Sequence, residues 1–118
     1  MKDTAEALLS AFREKKFSVT EYAEQVIERI GLHEDLGAIL GFDAEKLREE
    51  AATADTRWKS GAPRSLEGLM LGVKDNIDTS YLVTTGGTSC LNSSAPKNAS
   101  SLQGLLDSGA LVAAKTNL

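Results

Sequence analysis

Lys74 closes a short apolar run, Leu69-Met70-Leu71-Gly72-Val73. A lysine in that position can lose hydration to its apolar neighbours, which favours the neutral amine and lets it serve as a base near neutral pH. The competing reading is an ordinary solvated cation beside Asp75 and Asp78. Downstream, Thr84-Thr85-Gly86-Gly87-Thr88 places two glycines where backbone N–H groups can approach a ligand, although turn geometry accounts for the pair equally well. Asp75 and Asp78 lie three apart, which suits paired carboxylates or, more simply, capping after a strand. Gly109 to Thr116 is one substitution from the phosphate-binding G-x-x-x-x-G-K-T pattern, with Ala114 in place of the second glycine. The residues between are an apolar strand, not a glycine-rich loop. His33, the single histidine, reads as a solvated loop residue and gives a Ser-His-Asp triad little support. Cys90 has no cationic activator near it in sequence and reads as an inert thiol.

Composition bounds the setting. The chain has 118 residues, 42% hydrophobic and 25% charged, and a net charge of -4. One small domain is the default at this length. The acidic balance leaves no electrostatic footprint for nucleic acid or an anionic membrane. A single cysteine excludes an internal disulfide and any multi-cysteine metal site, and with a polar N-terminus it points to a reducing, cytoplasmic setting. No apolar run approaches the roughly 18–20 residues needed to span a bilayer.

The elements that must position Lys74 fall into two halves. Residues 1–62 read as a helical layer. Asp3 caps a segment with Ala5, Leu8, Leu9 and Phe12 at helical spacing. Ser18-Val19-Thr20-Glu21 is a capping box before the stripe Val19, Tyr22, Ala23, Val26, Ile27 and Ile30, which ends at Gly31. Asp43 opens a third helix that carries Leu47, Ala51, Ala54 and Trp58 on one face. Between the last two, residues 37–42 are short and apolar, an extended segment or a packed loop. Residues 63–118 read as strand, loop, helix and strand. The strands are 69–73 and 110–114, too short and too continuously apolar for helices. A helix over 99–107 is capped by Asn98 or Ser100 and closed by Gly109. Strand, crossover helix and strand describe a parallel βαβ unit, so the fold class is α/β.

Three segments in order, Gly72-Val-Lys-Asp-Asn-Ile-Asp78, Thr84-Thr-Gly-Gly-Thr88 and Ser108 to Asn117, resemble the N-terminal part of the amidase signature family. The resemblance covers nearly all of the chain and about a quarter of a typical family domain, which implies an incomplete piece of a fold whose mixed sheet is covered by helices. It implies hydrolysis of a carbon–nitrogen amide bond through a Ser–cis-Ser–Lys triad, with Lys74 as the catalytic lysine. In that scheme the neutral lysine takes a proton through the bridging serine, the second serine attacks the amide carbonyl, and backbone N–H groups hold the oxyanion. Thr85, Gly86, Gly87 and Thr88 match a segment near the site. No metal or organic cofactor is implied, and the substrate is a small-molecule amide.

The departures shape the expectation. Met70-Leu71-Gly72, Asn98 and Ala114 stand where the family more often has a proline-containing approach, an acid and a glycine. Both family serines belong to a Gly/Ser-rich segment beyond Leu118; Ser93-Ser94 and Ser100-Ser101 precede the wrong elements. The chain is therefore expected to carry the base without the nucleophile and to be inactive alone. The segment after Leu82 lacks the cysteine-containing pattern associated with tRNA-dependent amidotransferase subunits, which favours a general amidase. The alternative is a non-catalytic interaction or structural module that self-associates, or binds a partner, through its open sheet.

Overall fold

The computed structural model describes residues 4–92 and 94–118. Asp3 lies outside the described residues. Helix α1 spans Ala5–Arg13 and is capped by Thr4, whose hydroxyl accepts from the Ala7 amide at 3.1 Å. Helix α2 spans Val19–Leu32. Both halves of its capping box form: the Glu21 amide donates to Ser18 Oγ at 3.0 Å, and the Ser18 amide donates to Glu21 Oε2 at 2.7 Å. The helix runs through Gly31, one residue past the predicted stop. Helix α3 spans Ala44–Lys59 behind Asp43, which accepts from the Lys46 amide at 3.0 Å. A single α3 carboxylate pins the start of α2, because Asp55 accepts from the Val19 and Thr20 amides at 2.8 and 3.0 Å.

Three strands form the sheet. Strand β1 is Ile39–Gly41, β2 is Met70–Lys74 and β3 is Leu111–Thr116, in the order β1-β3-β2. β2 runs parallel to β3 and β1 runs antiparallel to it, so the sheet is mixed. The extended reading of residues 37–42 is the one realised, and β1 brings the helical half of the chain into the sheet. Helix α4, Ser100–Asp107, makes the crossover between β2 and β3. Its start differs from expectation. Ala99 occupies the N-cap with no side-chain hydrogen bond, because the Asn98 side chain is engaged with the Ser80 amide and Gln103.

β3 organises both cores. Side chains alternate across a strand; Leu111 and Ala113 join Leu8, Phe12, Val19, Ala23, Leu47 and Ala51 of the helical layer. Val112 points the other way, to Val73 of β2 and Leu102 of α4. Helices on both sides explain why β3 is a continuous apolar run. The approach to β2 is tight. Gly68 and Gly109 both adopt positive φ, 85° and 102°, and an added Cβ would come within 2.6 Å of Val19 Cγ2 and 2.8 Å of Glu67 Cα respectively. Between them Glu67 is fully buried and held by Arg64 through two 2.9 Å hydrogen bonds. The result is the predicted α/β arrangement, N-terminal helices followed by a βαβ unit. No described helix is long and apolar enough to cross a membrane.

Candidate active site

The parallel pairing carries β2 and β3 side by side to their C-terminal ends, with Val73 opposite Lys115 and Lys74 opposite Thr116. This is the edge of an α/β sheet where ligands are bound. The two lysines meet different fates there. Lys74 is exposed. Lys115, on the central strand, is 1% exposed and its Nζ lies 3.2 Å from Asp75 Oδ1, an equally buried partner. β3 has neighbours on both sides and helices on both faces, whereas β2 is an edge strand, and that asymmetry accounts for the difference. The desolvation that the sequence pattern suggests for Lys74 is met by this chain at Lys115, where an ion pair takes it up.

Asp75 is the hub of the site. Its backbone amide donates to Thr116 O at 2.9 Å, which extends the β2–β3 ladder, and its carbonyl accepts from the Gly86 amide at 3.0 Å. Its Oδ2 accepts from the Thr85 amide at 3.1 Å and from the Thr85 hydroxyl. Its Oδ1 faces the Lys115 ammonium without hydrogen-bond alignment, so that contact is Coulombic. The Lys115 ammonium donates instead to Thr84 Oγ1 at 2.9 Å. Burial opposes the charged carboxylate, but the Thr85 hydroxyl, the Lys115 ammonium and the Thr85 amide outweigh it and hold Asp75 below the usual carboxylate range. Asp75 therefore does not cap a helix after β2, as its position in sequence suggests.

The glycine pair completes a turn fixed by this network. Gly86 and Gly87 have φ of 62° and 73°, the left-handed region glycine adopts freely. The Gly87 amide donates to Thr85 Oγ1 at 3.2 Å, and the Thr88 amide to Thr85 O at 3.1 Å. Asn117 supports the turn from β3: a Cβ on Gly87 would lie 3.3 Å from its Oδ1, while its amide and side-chain Nδ2 hold the Ala38 and Gly37 carbonyls at 2.8 and 2.9 Å. Thr85, Gly86, Gly87 and Thr88 thus form one turn tied to the residue that follows Lys74. The remaining candidates stand apart from this network. His33 is exposed at the end of α2, Cys90 is an exposed free thiol, and Ser100 and Ser101 are exposed at the start of α4. The Gly109–Thr116 segment is not a phosphate loop, since its Lys115 is committed to Asp75 and Thr84. Among the described residues no cluster of three His, Cys, Asp or Glu side chains could hold a metal ion.

The Asp75–Lys115 pair is absent from the sequence-based expectations, which name Lys74 and residues 85–88. A signal is present: opposite charges at the ends of two apolar runs that read as neighbouring parallel strands.

The comparisons agree with this geometry. The sequence profile of the amidase family matches residues 21–118. The chain is 32% identical over 112 residues to a glutamyl-tRNA(Gln) amidotransferase subunit from Legionella pneumophila strain Philadelphia 1, covering 94% of this chain and 23% of that protein. The crystal structure of the native peptide amidase from Stenotrophomonas maltophilia superposes with a TM-score of 0.90 at 27% identity, over 99% of this chain and 25% of that one. An amidase family protein from Bacillus anthracis gives 0.89 at 26% identity, over 100% of this chain and 24% of that one. The chain thus spans about a quarter of the length of the relatives it matches. Across that span, in sequence and in fold, it belongs to the amidase family.

Proposed function

We propose that residues 1–118 are the N-terminal part of a single amidase domain, and that Lys74 is its general base in cleavage of a carbon–nitrogen amide bond. The observation that carries the reading is the placement of Lys74 at the C-terminal end of β2, immediately before Asp75, which anchors the Thr85–Thr88 turn. In the Ser–cis-Ser–Lys scheme, the Lys74 amine accepts a proton through the bridging serine while the second serine attacks the substrate carbonyl; the proton then passes to the leaving nitrogen as the C–N bond breaks and the acyl-serine forms. Both serines belong to family sequence beyond this span. Lys74 is exposed here, so the residues that would desolvate it also lie outside the span.

The chain alone is expected to give no turnover of simple amides at neutral pH, and measurable hydrolysis would contradict that. The role of Lys74 is tested by grafting this chain onto the remaining three quarters of the peptide amidase. Activity that survives Lys74→Ala in the hybrid would remove Lys74 as the base. The relatives include both a peptide amidase and an amidotransferase subunit, at 27% and 32% identity, so the reading keeps to the C–N bond chemistry these names share. A small-molecule amide substrate and a cytoplasmic setting form part of the proposal.

A second reading has its own observation. The order β1-β3-β2 leaves β1 and β2 each open on one side, and Leu40 of β1, together with Leu32 and Leu36 preceding it in the chain, is exposed, at 43%, 70% and 68% respectively. Open edges and exposed apolar side chains favour association. In this reading the chain is a non-catalytic module that pairs with itself. Sedimentation showing a monomer at all concentrations would exclude it.

A further inference from the structure

A groove of about 540 Å³ lies on the helical layer, between the α1–α2 turn and the C-terminal half of α3. That volume falls within the range of small-molecule sites, roughly 300–1,000 Å³. Its apolar wall is aromatic. Phe12, Phe17 and Trp58 line it, with ring centroids 5.7 Å apart for Phe12–Phe17 and 6.3 Å for Phe12–Trp58. Its rim carries Arg13, Lys15, Lys16 and Lys59 against Glu21 and Asp55, a cationic excess in a chain whose net charge is -4. The acids nearby are already engaged. Asp55 takes the Val19 and Thr20 amides and the Thr20 hydroxyl, Glu21 takes the Ser18 amide, and Glu14 pairs with Lys16 at 3.1 Å. Among the described residues, Arg13, Lys15 and Lys59 of the rim have no anionic partner.

Lys15 adds an independent observation. It is the only described non-glycine residue with positive φ, at 57°. The Lys15 and Lys16 amides donate to the Phe12 and Ala11 carbonyls at 3.2 and 3.0 Å, which is the Schellman closure of α1. Its left-handed position is the one glycine fills with least strain. A lysine in the position glycine usually fills puts a cationic side chain on the groove.

We propose that this groove binds a small aromatic acid, the ring against Phe12, Phe17 and Trp58 and the anion among Arg13, Lys15 and Lys59. Cation and ring recognise complementary parts of one ligand. The site is independent of Lys74 and of the amidase reading.

Trp58 is the only tryptophan, and its indole N–H, which donates to the Glu67 carbonyl at 3.2 Å, is a single reporter on a ring that lines the groove. The experiment titrates the isotope-labelled chain with phenylacetate and with its neutral isostere phenylacetamide, following that one NMR cross-peak. Phenylacetate is expected to saturate with a dissociation constant on the order of 1 mM, the range for a fragment of this size. Phenylacetamide is expected to bind about two- to five-fold more weakly, the range that exposed charge contacts supply. Lys15→Gly relieves the backbone and removes the charge. It should raise the melting temperature while weakening phenylacetate about two- to five-fold. Lys59→Ala, which leaves the turn alone, should weaken it by a similar factor. Absence of saturation by phenylacetate would overturn the site. Equal affinity for acid and amide, or unchanged affinity in both variants, would reduce it to an apolar groove without anion recognition and would equally overturn the proposal.

Discussion

Two buried carboxylates bracket β2, and they are built differently. Glu67 precedes the strand, where Arg64 grips it through two hydrogen bonds and Arg57 stands at 3.5 Å; these arginine side chains are 35% and 44% exposed. Asp75 follows the strand, and its cation, Lys115, is as buried as itself. An arginine on the rim can turn to water when its partner is lost. An ammonium inside a central strand has nowhere to go, and removing one half of such a pair leaves an uncompensated buried charge. The first arrangement holds a turn closed at the entrance to β2. The second fuses the ends of β2 and β3 with the Thr84–Gly87 turn, at the edge where Lys74 sits.

The sharpest way to break the comparison is Asp75→Ala. It strands Lys115 with only the Thr84 hydroxyl, and a loss of about 3–5 kcal/mol in urea unfolding is expected. Lys115→Met should cost nearly as much. The double variant Asp75→Asn/Lys115→Met should recover most of the loss, because no buried charge is left unmatched. Additive losses in that cycle would show that the pair does not act as a unit. Acid provides the same test without mutation. The folded-state pKa of Asp75 is depressed, so its contribution is complete above the unfolded value of about 3.9 and is lost as pH falls through the lower folded value. Between roughly pH 6 and pH 3, the parent chain should lose more stability than the double variant. Parallel pH profiles would contradict the assignment.

Smaller changes grade the two sites against each other. Thr85→Val removes the hydroxyl on Asp75 Oδ2 and keeps the amide bond, so about 2 kcal/mol is expected, the value of a hydrogen bond to a charged group. Glu67→Gln keeps an acceptor and frees arginines that are more than a third exposed, so about 1 kcal/mol is expected. If thermal unfolding ranked Glu67→Gln above Asp75→Ala, the exposure argument would be wrong.

What can be read from sequence divides along the same line between local and non-local forces. The caps of α2 and α3 are legible because Ser18, Glu21 and Asp43 act on amides three residues away. The βαβ unit is legible because β2 and β3 must be apolar to lie in a covered sheet. Strand β1 is ambiguous in sequence because three residues are too few to set a period and are fixed by pairing with Thr116 and Lys115 far along the chain. The start of α4 escapes for a similar reason: Asn98, a good local cap, is drawn off to Ser80, 18 residues away. The two lysines make the point for the site. Lys74 and Lys115 both end apolar runs, and only strand order tells which is covered.

Lys74→Ala should therefore have the smallest effect on this chain. Its side chain is exposed at the end of an edge strand, and exposed substitutions of this kind move stability little. A melting temperature within about 3 °C of the parent is expected. Under the proposed role of Lys74 as general base, the same substitution should abolish turnover in the hybrid with the remaining amidase sequence, because a base contributes to the reaction and not to the packing beneath it. Asp75→Ala should fail both assays, whereas Lys74→Ala should fail only the second. A Lys74 variant that melted as early as the Asp75 variant would mean the lysine is structural in this chain, and the division between a buried anchor and an exposed chemical group at the end of β2 would fall.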